Sequence, residues 1–252
     1  MRLTIVGCGT AAPDPERVAA SFFLEVAGLK LLMDCGPGAL HHLARFGLEW
    51  PRITHLLITH FHNDHVGDVP ALFFAWRWGM MPARSAPLHV LAPRGMARKL
   101  KHMANAMGQH VREPGFAVTV DELVGEEHRL LGDVVHVKTL RTPHTAESIA
   151  FRIDTPDGSV GYTGDTGYSE QLSAFLSRVD LLIMECSLPD ELAMDTHLTP
   201  SSAARMAQQA NPGALVLTHA YPQLDRRTLA DVVASCGWTG DTVIAEDGMI
   251  IE

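Results

Sequence analysis

Along the first third of the chain, short apolar or β-branched runs alternate with Gly and Pro. Leu3 to Val6, Ser21 to Val26, Leu29 to Met33 and Thr54 to Thr59 each read as a strand. The turn Asp34-Cys35-Gly36-Pro37-Gly38 closes the third, and Ala39 to Phe46 reads as a helix. A second helix is expected from about His65 into Phe73-Phe74-Ala75-Trp76. A third is expected over roughly Pro93 to Met107, its proline suited to a first helical turn. Strands return at Val134 to Leu140, Ser148 to Ile153 and Ser159 to Tyr162, the last two separated by a Thr-Pro-Asp-Gly turn. The pattern then alternates: helix Glu170 to Leu176, strand Leu181 to Glu185, helix Ser201 to Gln209, strand Ala214 to Thr218, helix Arg226 to Ser235, final strands. No low-complexity stretch or long linker interrupts it, so residues 1–252 are expected to form one domain.

Two of these runs echo each other. Leu56-Leu57-Ile58-Thr59-His60 and Leu215-Val216-Leu217-Thr218-His219 are both apolar strands ending in Thr-His, as if two half-domains each delivered a histidine to a shared seam. The carboxyl ends of buried strands are where α/β sheets place their chemistry.

With 46% hydrophobic residues, the chain can bury a substantial core. Its longest apolar runs are interrupted by Glu25 or Lys30 and fall far short of a membrane span, so no membrane partner is expected. Met1-Arg2-Leu3 leads directly into a strand-like run, from which no secretory signal and a cytoplasmic location are expected. Cys8, Cys35, Cys186 and Cys236 form no C-x-x-C pair and are expected to be reduced and mostly buried. A net charge of −9 argues against a general nucleic-acid surface. That charge is uneven. Val69 through Arg112 contains no Asp or Glu but holds Arg77, Arg84, Arg94, Arg98, Lys99, Lys101 and Arg112. Such a segment either steers an anionic substrate or is a solvated helix face.

The strongest chemical signal is His60-Phe61-His62-Asn63-Asp64-His65, three imidazoles and a carboxylate directly after an apolar strand. Imidazole with carboxylate suits borderline divalent metals, zinc above all, with iron and manganese as the others. A tight turn after a strand can send His60 and His62 to one side and Asp64 and His65 to the other, serving two neighbouring ions. No serine occurs in a nucleophile elbow.

His-x-His-x-Asp-His resembles the signature of the metallo-β-lactamase superfamily. The other positions of that pattern are matched by His144 in Thr-Pro-His-Thr, Asp165 in Gly-Asp-Thr, and His219 at a strand end. The resemblance implies an α/β fold: a four-layer αβ/βα sandwich of two mixed sheets with helices on the outer faces. It implies that His60, His62 and His144 hold one ion, Asp64, His65 and His219 a second, and that Asp165 bridges them. The two ions, Zn²⁺ first and Mn²⁺ or Fe otherwise, would share a hydroxide and clamp the attacking and leaving oxygens.

Within the superfamily the chain is most similar to the ribonuclease Z-like branch, through Gly7-Cys8-Gly9-Thr10-Ala11-Ala12-Pro13 to Arg17, Asp34-Cys35-Gly36, Leu181 to Cys186, and His197-Leu198-Thr199. That likeness gives Asp64, His197 and Glu185 as catalytic residues, His197 protonating the leaving oxygen with help from Glu185. The alternative for His197 is the N-terminal flank of the helix that Pro200 opens. Only 21 positions separate His144 from Asp165, where tRNA-processing members insert a long Gly-Pro-rich arm. The expectation is therefore a phosphodiesterase acting on small or cyclic phosphodiesters, with no large nucleic acid as partner. The basic segment is expected near the site entrance. The alternatives are a carboxylic ester, lactone or thioester hydrolase on the same core, or a sensor with a relict site. Phe73-Phe74-Ala75-Trp76-Arg77-Trp78-Gly79-Met80-Met81 is a substrate wall, a homodimer surface or plain core.

Overall fold

The computed structural model describes residues 1–252. Two seven-stranded sheets face each other, one from each half of the chain. In the first sheet, β1 (Arg2–Gly7), β2 (Ser21–Val26) and β3 (Leu29–Met33) run antiparallel. They continue in parallel through β4 (His55–Leu57), β5 (Leu88–Pro93) and β6 (Val118–Leu123). The second sheet begins antiparallel with β7 (Glu127–Leu131), β8 (Val135–Arg141), β9 (Ile149–Thr155) and β10 (Gly158–Tyr162). It continues in parallel through β11 (Leu181–Glu185), β12 (Ala214–Thr218) and β13 (Asp241–Ile244).

Three separate apolar clusters show why the strands read as continuous hydrophobic runs. Phe22, Leu24, Leu31, Met33, Ile183 and Val216 fill the space between the sheets. The intervening residues Phe23, Leu32 and Leu56 pack outward against helices of the first half, while Leu182, Met184, Leu215 and Leu217 do so in the second. Because both faces of each central strand are covered, alternation is lost and only length and β-branching identify them. The result is the expected αβ/βα sandwich. All four cysteines are free; Cys8, Cys35 and Cys186 are buried and Cys236 is half-buried.

Several elements differ from expectation. The helix expected from His65 to Trp76 is two, α2 (Asn63–Val66) and α3 (Val69–Trp78), after α1 (Ala39–Arg45). The break has a cause: a Cβ on Gly67 would lie 2.7 Å from the Pro37 ring, and the Asp68 carboxylate accepts the Gly38 and Leu40 amides at the start of α1. Pro93 closes β5 instead of opening a helix; α4 (Met96–Met107) begins after Gly95, whose φ of 110° no other residue adopts easily. β5, β6 and β7 had no clear signal. β6 and β7 carry Asp121, Glu122, Glu127 and Arg129 on half-exposed strands, and β7 is a sheet edge, where charge is the usual protection.

One connection runs against chain order. β14 (Ile250–Ile251) joins the first sheet beside β1, and Asp247 just before it accepts the amides of Cys8 (2.9 Å) and Val18 (2.7 Å). The loop between β1 and β2 is thereby pinned at both ends.

Candidate metal centre

The loop after β4 carries His60, His62, Asp64 and His65, and one buried carboxylate organises it. Asp34, itself held at φ 55°, accepts the Thr59 amide and hydroxyl (both 2.8 Å), His65 Nδ1 (2.7 Å) and the Tyr162 hydroxyl (2.7 Å). With Nδ1 donating to Asp34, the His65 Nε2 lone pair is left facing inward, a common second partner for a metal-ligating histidine.

The second half supplies residues from separate strand ends: His144 after β8, Asp165 after β10, His219 after β12. His144 Nδ1 donates to the Thr196 carbonyl (2.9 Å), freeing Nε2, which lies 3.0 Å from His62 Nδ1. Asp165 Oδ2 faces His144 Nε2 (3.7 Å) and His60 Nε2 (3.8 Å), whereas its Oδ1 faces His65 Nε2 (3.3 Å) and His219 Nε2 (3.6 Å). Asp64 Oδ2 lies 3.3 Å from His219 Nε2. The seven residues thus converge as two groups, His60-His62-His144-Asp165 and Asp64-His65-His219, with the atoms of each within 4.8 Å of one another.

The donor set fits a divalent metal. His60 Nε2, His65 Nε2 and Asp165 Oδ1 are buried with no hydrogen-bond partner, and burying such atoms unsatisfied costs about 1–3 kcal/mol each. Desolvation, helped by neighbouring histidines, pushes the His60 pKa far down, so the ring stays neutral as a ligand must be. The Asp165 carboxyl, opposed by desolvation but surrounded by His219, His65 and His60, is held well below the usual range.

A second buried carboxylate, Glu185, organises the C-terminal side. It accepts the Thr166 amide (2.7 Å) next to Asp165, His197 Nδ1 (3.0 Å), the Leu198 amide (3.1 Å) and the Ser187 hydroxyl, which in turn contacts His219 Nδ1 (3.1 Å). Desolvation opposes it, yet Glu185 raises the His197 pKa above its ordinary value. His197 also lies close enough to Asp165 and His219 to form a third possible ligand group with them. Sequence reasoning missed Asp34 as an organiser, as well as Ser187 and Tyr221.

A cleft of about 580 Å³ opens over the cluster, lined by Thr10 to Asp14, Arg17, His62, Asp64, His197 and Tyr221 among others. No residue of the basic segment lines it. Arg84 is buried, donating to the Pro51, Ile53, Ala86 and Pro87 carbonyls beneath Trp76, and Lys99 sits over the ring of Phe61. The aromatic stretch divides: Phe73 and Trp76 are core, while Phe74 and Trp78 are half exposed and pack on each other and His110. It does not line the cleft either.

A four-layer sandwich with a His/Asp cluster at the strand ends defines a metal-dependent hydrolase. A family model described as "Beta-lactamase superfamily domain" matches residues 30–220, and the chain belongs to that superfamily. It is 30% identical to a ribonuclease Z from Mycobacterium sp. (strain KMS), over 89% of this chain and 85% of that protein. Among solved structures it is similar to the metallo-beta-lactamase fold protein YhfI from Bacillus subtilis, with a TM-score of 0.84 at 22% identity over 99% and 98% of the two chains. It is also similar to the short form of human tRNase Z, with a TM-score of 0.80 at 25% identity over 100% and 99%. No helix is long and apolar enough to cross a membrane.

Proposed function

We propose that the protein is a phosphodiesterase acting on small or cyclic phosphodiesters with two divalent ions, zinc first and manganese or iron otherwise. The observation that carries the dinuclear reading is Asp165, whose two oxygens face different histidine groups. His60, His62 and His144 would hold one ion, Asp64, His65 and His219 the other, with Asp165 facing both groups. Bound there, the ions supply Lewis acidity and lower the pKa of water.

The chain's own residues do the rest. Asp64 lines the cleft as well as the ligand group, placed to take a proton from the attacking water. His197 has Nδ1 fixed by Glu185, so Nε2 is the atom that delivers a proton to the leaving oxygen. Arg17, the one Arg or Lys of the lining, is matched by Asp14. Attraction for an anion would therefore have to come from bound divalent ions, whose charge would exceed that of Asp64 and Asp165. The cleft volume falls within the range of about 300–1,000 Å³ usual for small ligands.

A second reading, cleavage of a larger RNA, is favoured by the relatives named ribonuclease Z and tRNase Z, with which the expectation of no large nucleic-acid partner sits uneasily. Against it, the interval from His144 to Asp165 holds only β9, β10 and a tight turn. The test is metal analysis followed by a screen of the zinc- and manganese-loaded protein on cyclic nucleotides, nitrophenyl phosphodiesters, precursor tRNA, lactones and thioesters. The highest kcat/KM is expected on a small diester. A higher value on precursor tRNA would establish the second reading, and one on a lactone or thioester would overturn both.

A further inference from the structure

Arg17 stands at the cleft wall as if to receive a substrate anion, yet all three of its guanidinium nitrogens already donate within the protein. Its side chain is only 7% exposed. Nε and Nη2 donate to Asp14 Oδ2 (3.0 and 2.6 Å), and Nη1 crosses to the other half of the molecule to donate to the Ala220 carbonyl (3.0 Å). Asp14 is braced in turn, its Oδ1 accepting the Glu16 and Arg17 amides.

Ala220 follows His219, which has a φ of 58°. That left-handed conformation is uncommon for any residue but glycine, and it persists only where the surroundings over-determine it. Here four contacts hold it. The His219 amide donates to the Cys8 carbonyl (3.2 Å), the Tyr221 amide to the Ser187 carbonyl (3.0 Å), Ser187 Oγ meets His219 Nδ1 (3.1 Å), and Arg17 holds the Ala220 carbonyl. Two of the four come from the loop between β1 and β2. His219 is also the one member of its ligand group contributed by the second half; Asp64 and His65 come from the first.

We infer that Arg17 is a positioning residue for His219: braced by Asp14, its guanidinium fixes the carbonyl after the histidine and thereby keeps Nε2 aimed at Asp64 and Asp165. The inference rests on the dinuclear reading above. It assigns the Asp14–Arg17 pair to building the Asp64-His65-His219 site, and it denies Arg17 a primary role in binding the substrate anion. His60, His62 and His144 do not touch this pair, so the two ion sites respond differently to its loss.

The experiment is zinc titration of the metal-free protein in competition with a chromophoric chelator, without substrate, on the wild type, Arg17→Ala, Arg17→Lys and Asp14→Asn. Wild type is expected to bind two zinc ions. Arg17→Ala should weaken one of them by about 10- to 100-fold, the usual effect of losing an outer partner of a ligand, and leave the other unchanged. Arg17→Lys, with a single ammonium unable to span Asp14 and Ala220 together, should fall between. Asp14→Asn should weaken the same ion while keeping the cation in the cleft. Should Arg17→Ala lose its fold, the latter two variants carry the comparison. Two-site binding unchanged in all folded variants, with a rise in KM for an anionic diester, would overturn the inference and leave the dinuclear reading standing. A wild type that binds one ion would overturn both.

Discussion

The first half of the molecule delivers four of the seven proposed ligands on one loop, residues 60 to 65, after a single strand. The second delivers three, each from the end of a different strand and separated by up to dozens of residues. Both halves centre their ligands on a buried carboxylate, but the two carboxylates work at different range. Asp34 bonds its ligand His65 directly. Glu185 reaches His219 through Ser187 and Asp165 through the neighbouring Thr166 amide, while holding His197 itself. One half thus sets ligand geometry through the conformation of a loop, the other through strand register, and proton delivery belongs to the second.

The sharpest way to break this comparison is to remove the residue both halves share. Asp165→Ala should lower kcat/KM on any diester by on the order of 10⁴-fold or more, since both ligand groups lose a member; steady-state kinetics on metal-saturated protein will show it. A loss below tenfold would mean that the groups act independently.

Next in size is His197→Ala. With metal content intact, hydrolysis of diesters with alkoxide leaving groups should slow by about 10²–10⁴-fold, and that of nitrophenyl diesters far less. An equal loss on both substrates, or loss of metal, would place His197 among the ligands with Asp165 and His219.

The two organising carboxylates can then be set against each other. Asp34→Asn should weaken binding of one ion by about 10- to 100-fold in a chelator competition. Glu185→Gln should disturb metal less and kcat more, shifting the alkaline limb of the pH profile, where His197 gives up its proton, to lower pH as His197 loses the carboxylate that raises its pKa. Reversed effects would erase the distinction between direct and relayed control.

The smallest effect concerns acid stability, which the comparison places in the first half. His55 on β4 is buried against His89, and desolvation, with a lesser push from that ring, lowers its pKa to about 4. The unfolded chain takes up this proton near pH 6.5, the folded chain near 4. Stability is therefore complete above about pH 6.5 and declines as the pH falls toward 4, by at most about 3 kcal/mol. Thermal melts of metal-free wild type and His55→Gln across this window should converge at low pH.

How legible each half was in the sequence follows from the same contrast. Clustered ligands announce themselves, so His60 to His65 needed only spacing and an apolar strand before them. His144 and Asp165 are individually ordinary and were found through the order of a family pattern, whereas His219 was also marked by the echo between its strand and Leu56 to His60. β11 and β12 were readable because they are apolar over most of their length, and β8 because its apolar and polar residues alternate. β6 and β7 were not, because edge and half-exposed strands carry charge. Most cations of the basic segment face solvent, as on a solvated helix face, but charge composition alone does not reveal that Arg84 is spent on four carbonyls in the core. Asp34 escaped notice as an organiser because its role lies in convergence, with Tyr162 arriving from 128 positions away.

The bond from Asp247 to the Cys8 amide joins residues 239 positions apart, and this has a consequence for the order of assembly. A chain emerging from the ribosome at about 5–20 residues per second exposes the loop of Cys8 to Arg17 for roughly 12–50 s before Asp247 is available to fasten it. Until Asp247 emerges, the loop of Cys8 to Arg17 lacks the carboxylate that fastens its two ends, although His144, Asp165 and His219 have already been made. This wall of the cleft is therefore fastened late in biogenesis, and a nascent chain halted before Asp247 would carry all seven proposed ligands beside an untied wall.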